Sequence, residues 1–422
     1  MAVDVLLGLQ WGDEGKGKIV DYLAPNYHVV ARFQGGPNAG HTLEFEGKKH
    51  VLHQIPSGIF RENIQNIIGN GLVIDAIVFQ KEVLSLDKYA INYRKNLFIS
   101  KKAHLILPSH KLLDAALEQA KGNQKIGSTL RGIGPSYQDK IGRMGLRVGD
   151  ILSPYFQQKY NQLVQNHKIW LDYLQYDSSS LQQTEPLFWE AIDFLKTLNI
   201  VDSEYLINQA INQNKKILAE GAQGSLLDID FGSYPYVTSS NTIVAGALTG
   251  LGFAPRHVRE VFGIFKAYCT RVGEGPFPTE LKDETGEKLR KIGNEFGATT
   301  GRKRRCGWLD LPALKYAIML NGVTQLFMMK VDVLNTFEQI KICTHYKLPN
   351  GEITDQIPYD IHLAIEPVYQ TFEGWYTEIK HIRQFEQLPT QLLTFVQFIE
   401  QHVGIPITLI SVGADRAETI FR

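Results

Sequence analysis

Short apolar runs alternate along the chain with longer stretches in which apolar residues recur every three or four positions. Val3–Leu9 is the first such run; it ends in glycine-rich sequence and predicts a buried strand. Val29–Phe33 predicts a second strand, and Asn66–Ile68, Ile217–Ala219, Val261–Tyr268, Gln325–Met329 and Ile405–Val412 predict five more. Helical patterns lie between them. Lys18–Leu23 opens a helix stopped by Pro25, Leu311–Leu320 forms another, and Gln391–Gln401 places Leu392, Phe395, Val396 and Ile399 on one face. Apolar strands alternating with helices predict an α/β fold, with a largely parallel central sheet covered by helices on both faces. Two segments differ in texture. Leu152–Gln213 is rich in Gln, Asn and Tyr and predicts a helical insertion, whereas the aromatic and charged Pro349–Leu388 predicts a β-rich one. The 422 residues are enough for two or three domains, but no repeat, low-complexity linker or strong boundary divides them.

Composition narrows the chemistry. Lys+Arg and Asp+Glu balance at 44 each, so any anion site is local and not the product of a global positive field. The three cysteines, Cys269, Cys306 and Cys343, are widely spaced and match no metal-binding pattern, which reads as scattered reduced thiols. The N-terminal run lacks a basic leader, and no run approaches the roughly 20 apolar residues of a membrane span, so a cytoplasmic location is expected.

The candidate chemistry gathers in glycine-rich loops. Gly12-Asp13-Glu14-Gly15-Lys16-Gly17-Lys18 lies between the first strand and a helix, the layout of a phosphate cradle: glycines let backbone N–H groups approach, the helix terminus adds positive charge, and lysine neutralises phosphoryl oxygens. Ile19 stands where a P-loop carries the Ser or Thr that holds Mg²⁺. If a magnesium nucleotide binds there, Asp13 is the nearest carboxylate to serve instead. A second loop, Gly35–Thr42, follows the second strand; in a parallel sheet it would emerge at the same edge, offering Asn38 as an amide partner and His41 as a general acid or phosphate ligand. Lys330-Val331-Asp332 closes a predicted strand in the layout of a guanine reader, because one carboxylate can accept from both guanine N1–H and the 2-amino group. The run Arg302-Lys303-Arg304-Arg305 follows Gly297–Gly301 and suits bidentate clamping of a small anion. Gly127–Pro135 with Arg143 supplies hydroxyl and guanidinium donors, and Glu220–Gly224 is a strand end offering Gln223.

Taken together, Gln10–Lys18, Gly36–Thr42, Gly127–Asp150, Glu220–Asn241, Thr270–Glu280, Gly293–Asp310, Lys330–Asp332 and Ser411–Thr419 resemble the adenylosuccinate synthetases, in that family's order along almost the whole chain. The resemblance implies one α/β domain over residues 1–422, a homodimer, and ligation of L-aspartate to IMP with GTP as co-substrate and Mg²⁺ as cofactor. It implies a catalytic set of Asp13, Lys16, His41 and Gln223, and Mg²⁺ on Asp13 and the Gly40 carbonyl. GTP would meet Gly12, Gly15, Lys16, Gly17, Lys18, Gly40, His41, Thr42, Arg304, Lys330, Val331, Asp332, Ser411, Val412 and Gly413. IMP would meet Asp13, Asn38, Ala39, Thr129, Gln223, Thr238 and Arg302, with Arg143 reaching over from a second copy. Aspartate would lie against Ala298, Thr299, Thr300, Gly301, Arg302 and Arg304. Ser128, Leu130 and Lys303 depart from the usual family pattern, and Leu152–Gln213 and Pro349–Leu388 carry no expected function. Two rivals share parts of the pattern. A regulatory GTPase needs the phosphate loop and guanine reader but neither the basic run nor the Asp13/His41 pair. A nucleic-acid-binding protein would rest on the basic run alone.

Overall fold

Side chains alternate across the central strands, as a sheet buried on both faces requires. Val5 and Leu7 enter one core while Leu6 enters the other; Ala31 and Val30, and Ala219 and Leu218, divide in the same way. The computed structural model describes residues 2–38, 40–45, 48–297, 301–361 and 365–422. Ten strands form its main sheet: β1 (Val3–Gly8), β2 (Val29–Arg32), β3 (Gln65–Ile68), β4 (Leu97–Ser100), β5 (Asn199–Val201), β6 (Ile217–Glu220), β7 (Val258–Lys266), β8 (Gln325–Met329), β9 (Ile407–Ser411) and β10 (Thr419–Phe421). Their order across the sheet is β10-β9-β8-β7-β1-β6-β2-β3-β4-β5. All neighbours are parallel except β9 and β10.

All seven expected strands are present; Gln325–Met329 has the expected bounds and the other six have shifted ends. The run expected at Val261–Tyr268 begins at Val258 and stops at Lys266, before a separate short strand Cys269–Arg271. The first helix begins at Lys16, two residues before the expected Lys18, because Gly15 closes the preceding loop in a left-handed conformation at φ 93°.

The Leu152–Gln213 segment is helical, as expected, over Phe156–Tyr173, Leu181–Lys196 and Ser203–Asn212. It also supplies the edge strand β5, and it buries Tyr160, Leu163 and Phe188 in a third core with Phe79 and Leu105. Pro349–Leu388 is β-rich: Glu366–Glu373 runs antiparallel to Gln339–Lys347. All three cysteines are buried and unpaired. Among the described residues, no helix is long and apolar enough to cross a membrane.

Candidate active site

Ligand sites of open parallel sheets lie beyond the carboxyl ends of the strands, and here the loops after β1, β2, β6, β8 and β9 leave that edge. In the loop after β1, Gly12, Asp13 and Gly15 all have positive φ, at 87°, 60° and 93°. The glycines take that backbone without steric penalty, whereas Asp13 carries the strain of a residue with a Cβ. Glu14 is fully buried and turns inward, its Oε1 accepting from the amides of Gln10 at 3.1 Å and Gly12 at 2.9 Å. Lys16 donates to Glu14 Oε2 at 2.6 Å and also to the Gln223 carbonyl. Asp13 is the loop's outward carboxylate, with about 35% of its side chain exposed. Arg304 Nε stands 2.8 Å from Asp13 Oδ2 as an ion pair, and the same guanidinium donates to the buried Glu295.

Lys18 points elsewhere. Its ammonium donates to Ser411 Oγ at 2.7 Å, the Gly413 carbonyl at 2.8 Å and the Glu418 carbonyl at 3.1 Å. Burial lowers its pKa to about 8, although Asp332 and Glu418 draw it the other way. The second lysine of the motif thus reaches the end of the cleft formed by β8 and β9, away from Glu14 and Gln223. Asp332 follows β8 there, on the short helix Val331–Leu334. Its Oδ1 is buried without a partner and burial raises its pKa. Lys330, left-handed at φ 63°, donates to the Gly293 carbonyl at 2.6 Å.

Beyond β2 and its glycine-rich sequence lies the antiparallel pair His41–Phe45 and Lys48–Leu52. His41 is buried, its Nδ1 lying 2.6 Å from Glu220 Oε1. Glu220 also accepts from Ser57 N at 2.8 Å and Ser57 Oγ at 2.6 Å. Burial and the nearby charge of Arg32 lower the His41 pKa against the pull of Glu220. Burial would raise the Glu220 carboxyl, but the His41 hydrogen bond and the charges of His41 and Arg32 hold it below its ordinary value. Gln223, left-handed at φ 57°, donates to Asn38 Oδ1 at 3.3 Å. One strand end, that of β6, therefore supports both the His41 loop and Asn38.

The basic run is not one functional unit. Arg305 is tied to Glu280 by two hydrogen bonds at 2.8 and 2.6 Å and to the carbonyls of Gly273 and Gly275, so its guanidinium is committed to the fold. The clamp expected over Arg302–Arg305 would therefore draw on Arg302 and Arg304. Arg302 donates to the carbonyls of Gly127 at 3.1 Å and Ser128 at 3.2 Å, joining the Gly301 loop to the Gly127–Gly132 loop. That second loop hangs on two carboxylates of helix Pro108–Ala120. Glu118 accepts from the amides of Gly127 and Ser128, and Asp114 accepts from Ser128 Oγ and Gly132 N. Thr129 lies in it, half-buried, and Thr238 is half-buried with its amide bonded to the Leu227 carbonyl at 2.9 Å. Gly17 lies in the first helix, and Val331 and Val412 are buried at the ends of β8 and β9.

Arg143 is exposed, in a left-handed conformation; its amide donates to the Lys140 carbonyl at 3.3 Å, and its side chain makes no hydrogen bond or ion pair among the described residues. Ala39, Ala298, Thr299 and Thr300 lie outside the described residues. For Thr42 only the backbone is described, paired with Val51. Glu14 and Glu118 are support residues that no motif in the sequence singles out, and the partners of Glu220 and Glu295 lie in other segments. For Glu220 one signal was available, its place beside Gln223 at a predicted strand end.

Fold and site together define an α/β enzyme whose polar side chains converge on the carboxyl edge of a parallel sheet. The family profile described as "Adenylosuccinate synthetase" matches residues 5–420. An adenylosuccinate synthetase of Cytophaga hutchinsonii is 66% identical over 424 residues, covering 100% of this chain and 98% of the relative, and that of Christiangramia forsetii is 58% identical over 427 residues, covering 100% of both. The solved structure of the fully ligated adenylosuccinate synthetase of Plasmodium falciparum superposes with a TM-score of 0.94 at 38% identity, covering 100% of both chains. The chain belongs to the adenylosuccinate synthetase family, ligases of purine biosynthesis.

Proposed function

We propose that this chain forms adenylosuccinate from IMP and L-aspartate, with GTP converted to GDP and phosphate. The observation that carries the reading is the convergence of Asp13, Lys16, His41, Gln223, Arg304 and the Lys330–Asp332 turn at one sheet edge. Asp13 is the base: its outward, strained carboxylate takes the N1 proton of IMP, and O6 attacks the γ-phosphorus as the bond to the β-phosphate oxygen breaks. His41 gives a proton to the departing diphosphate, with Lys16 neutralising charge on the phosphates. The aspartate amine then attacks C6 of 6-phosphoryl-IMP and phosphate leaves.

Asn38, Ala39, Thr129, Gln223, Thr238 and Arg302 hold IMP. Arg302 and Arg304 hold the aspartate carboxylates, with residues 298–301 around them. Gly12, Gly15, Gly17, Gly40, Thr42 and Arg304 meet the GTP phosphates. Lys330, Val331, Asp332, Ser411, Val412 and Gly413 enclose the guanine, and Lys18, bonded to Ser411 and Gly413, braces that end. An exposed carboxylate and a backbone carbonyl are hard oxygen donors that suit Mg²⁺, so Asp13 and Gly40 would hold it. When bound, the ion screens the phosphate charge. The enzyme acts in the cytoplasm as a homodimer, in which Arg143 of a second copy completes the IMP site.

An absorbance assay for adenylosuccinate tests this with IMP, aspartate and GTP omitted in turn. Product should require all three. GTP hydrolysis independent of IMP and aspartate would instead favour a regulatory GTPase.

A further inference from the structure

We infer that Glu220 is a positioning residue for His41: its buried carboxylate holds a proton on Nδ1 and fixes the imidazole, so that in the imidazolium form the proton on Nε2 is the one given to the substrate. The inference rests on the function proposed above. An ionised carboxylate only accepts hydrogen bonds, so a Glu220 Oε1 to His41 Nδ1 distance of 2.6 Å requires a proton on Nδ1. His41 Nε2 has no partner among the described residues.

Three features make Glu220 a rigid support. It ends β6, where Leu6 of β1 and Arg32 of β2 are its register partners, so the sheet fixes its backbone from both sides. Ser57 holds both carboxylate oxygens, through its amide and its hydroxyl. Arg32 is fully buried beside it on β2, donates to the His53 carbonyl, and leaves Nε and Nη2 without partners. A buried guanidinium with unused donors keeps the neighbouring carboxylate charged, because neutralising Glu220 would leave that cation uncompensated.

A second buried histidine–carboxylate cluster gives a contrast. His110 Nε2 and His167 Nε2 both meet Asp139 Oδ2, at 2.8 and 2.9 Å. There His110 Nδ1 accepts from Leu107 N and His167 Nδ1 meets Ser109 Oγ, so every ring nitrogen is used. No ring nitrogen of that cluster is left without a partner, and its three side chains join three helices. The His41 dyad keeps one nitrogen in reserve at the active edge.

The test has two arms on the full chain. In the first, ¹⁵N-histidine labelling and long-range ¹H–¹⁵N spectra report which nitrogen of His41 carries a proton, and His41→Asn identifies its signals among the 12 histidines. Nδ1 should be protonated; a bare Nδ1 overturns the inference without any change at Glu220. In the second, Glu220→Gln should lower kcat by about a hundred-fold, with each KM within about three-fold of the parent. A folded variant with parental kcat, or one whose loss lies only in KM, also overturns it. If that variant fails to fold, the first arm decides. A parent chain that makes no adenylosuccinate removes the proposed function whatever the tautomer, whereas a parent that turns over with a bare Nδ1 removes this inference alone.

Discussion

Glu295 is surrounded by more positive charge than one carboxylate neutralises. Lys266, itself fully buried, lies 3.3 Å away, Lys330 3.9 Å away, Arg304 donates to the second oxygen, and Tyr268 OH donates at 2.5 Å. Burial alone would raise this carboxyl, but Lys266, Lys330 and Arg304 together hold it at about 2. A carboxyl whose folded value is depressed stabilises the fold above its unfolded value and loses that contribution as pH falls towards the folded one. Ionised Glu295 should therefore contribute up to about 3 kcal/mol at neutral pH, lost between about pH 4.5 and about pH 2. Glu295→Gln should be less stable at pH 7, and its urea midpoint should fall less steeply below pH 4.5; parallel slopes for the two chains would contradict this. Asp332 makes a different prediction. Its buried Oδ1 lacks a donor, the condition expected of an acceptor shaped for a ligand N–H. Asp332→Asn should cut the preference for GTP over ATP by at least about ten-fold, measured as the ratio of kcat/KM values. An unchanged ratio would mean that the base is read elsewhere.

The loop between β1 and its helix shows how a short element can fix several groups at once. Gly15 has φ 93°, and a Cβ there would lie 3.2 Å from the Met329 side chain. Gly15→Ala should cost about 1–2 kcal/mol in urea denaturation. It should also lower turnover, since Lys16 and Asp13 flank the strained point. Much of the fold was legible because buried parallel strands read as plain apolar runs, and Val3–Leu9, Val29–Phe33 and Gln325–Met329 have no competing pattern. The edge strand β5 was not, being three half-buried residues inside a polar, helical stretch. The start of the first helix was misjudged by two residues because a left-handed glycine, with no side-chain cap, opens it. The candidate site divides similarly. Asp13, His41 and Gln223 stand in glycine-rich loops after strands and announce themselves. Glu220 acts through His41, 179 positions away, and Glu295 is bonded to Lys266, 29 positions away, so the folded chain and not local sequence brings these pairs together.

At the scale of the whole molecule, Arg143 is an expected site residue whose side chain, among the described residues, is bonded to none of the others. It is exposed beyond helix Ile133–Ile141, beside exposed Ile141 and Met144. If it serves a second copy, a mixture of Arg143→Leu and Asp13→Ala chains, each inactive alone, should regain up to about a quarter of the parental sites through mixed dimers. No recovery after subunit exchange would place Arg143 in its own subunit or outside the site. The sheet order carries a further consequence, for synthesis of the chain. β1 lies between β6 and β7, whose first residues are Ile217 and Val258. At about 5–20 residues per second, the first strand to leave the ribosome waits roughly 10–40 s for its nearest partner, its apolar residues and backbone groups unmatched. Nascent chains stopped before Ile217 should bind chaperones, and those carrying the chain past Lys266 should release them.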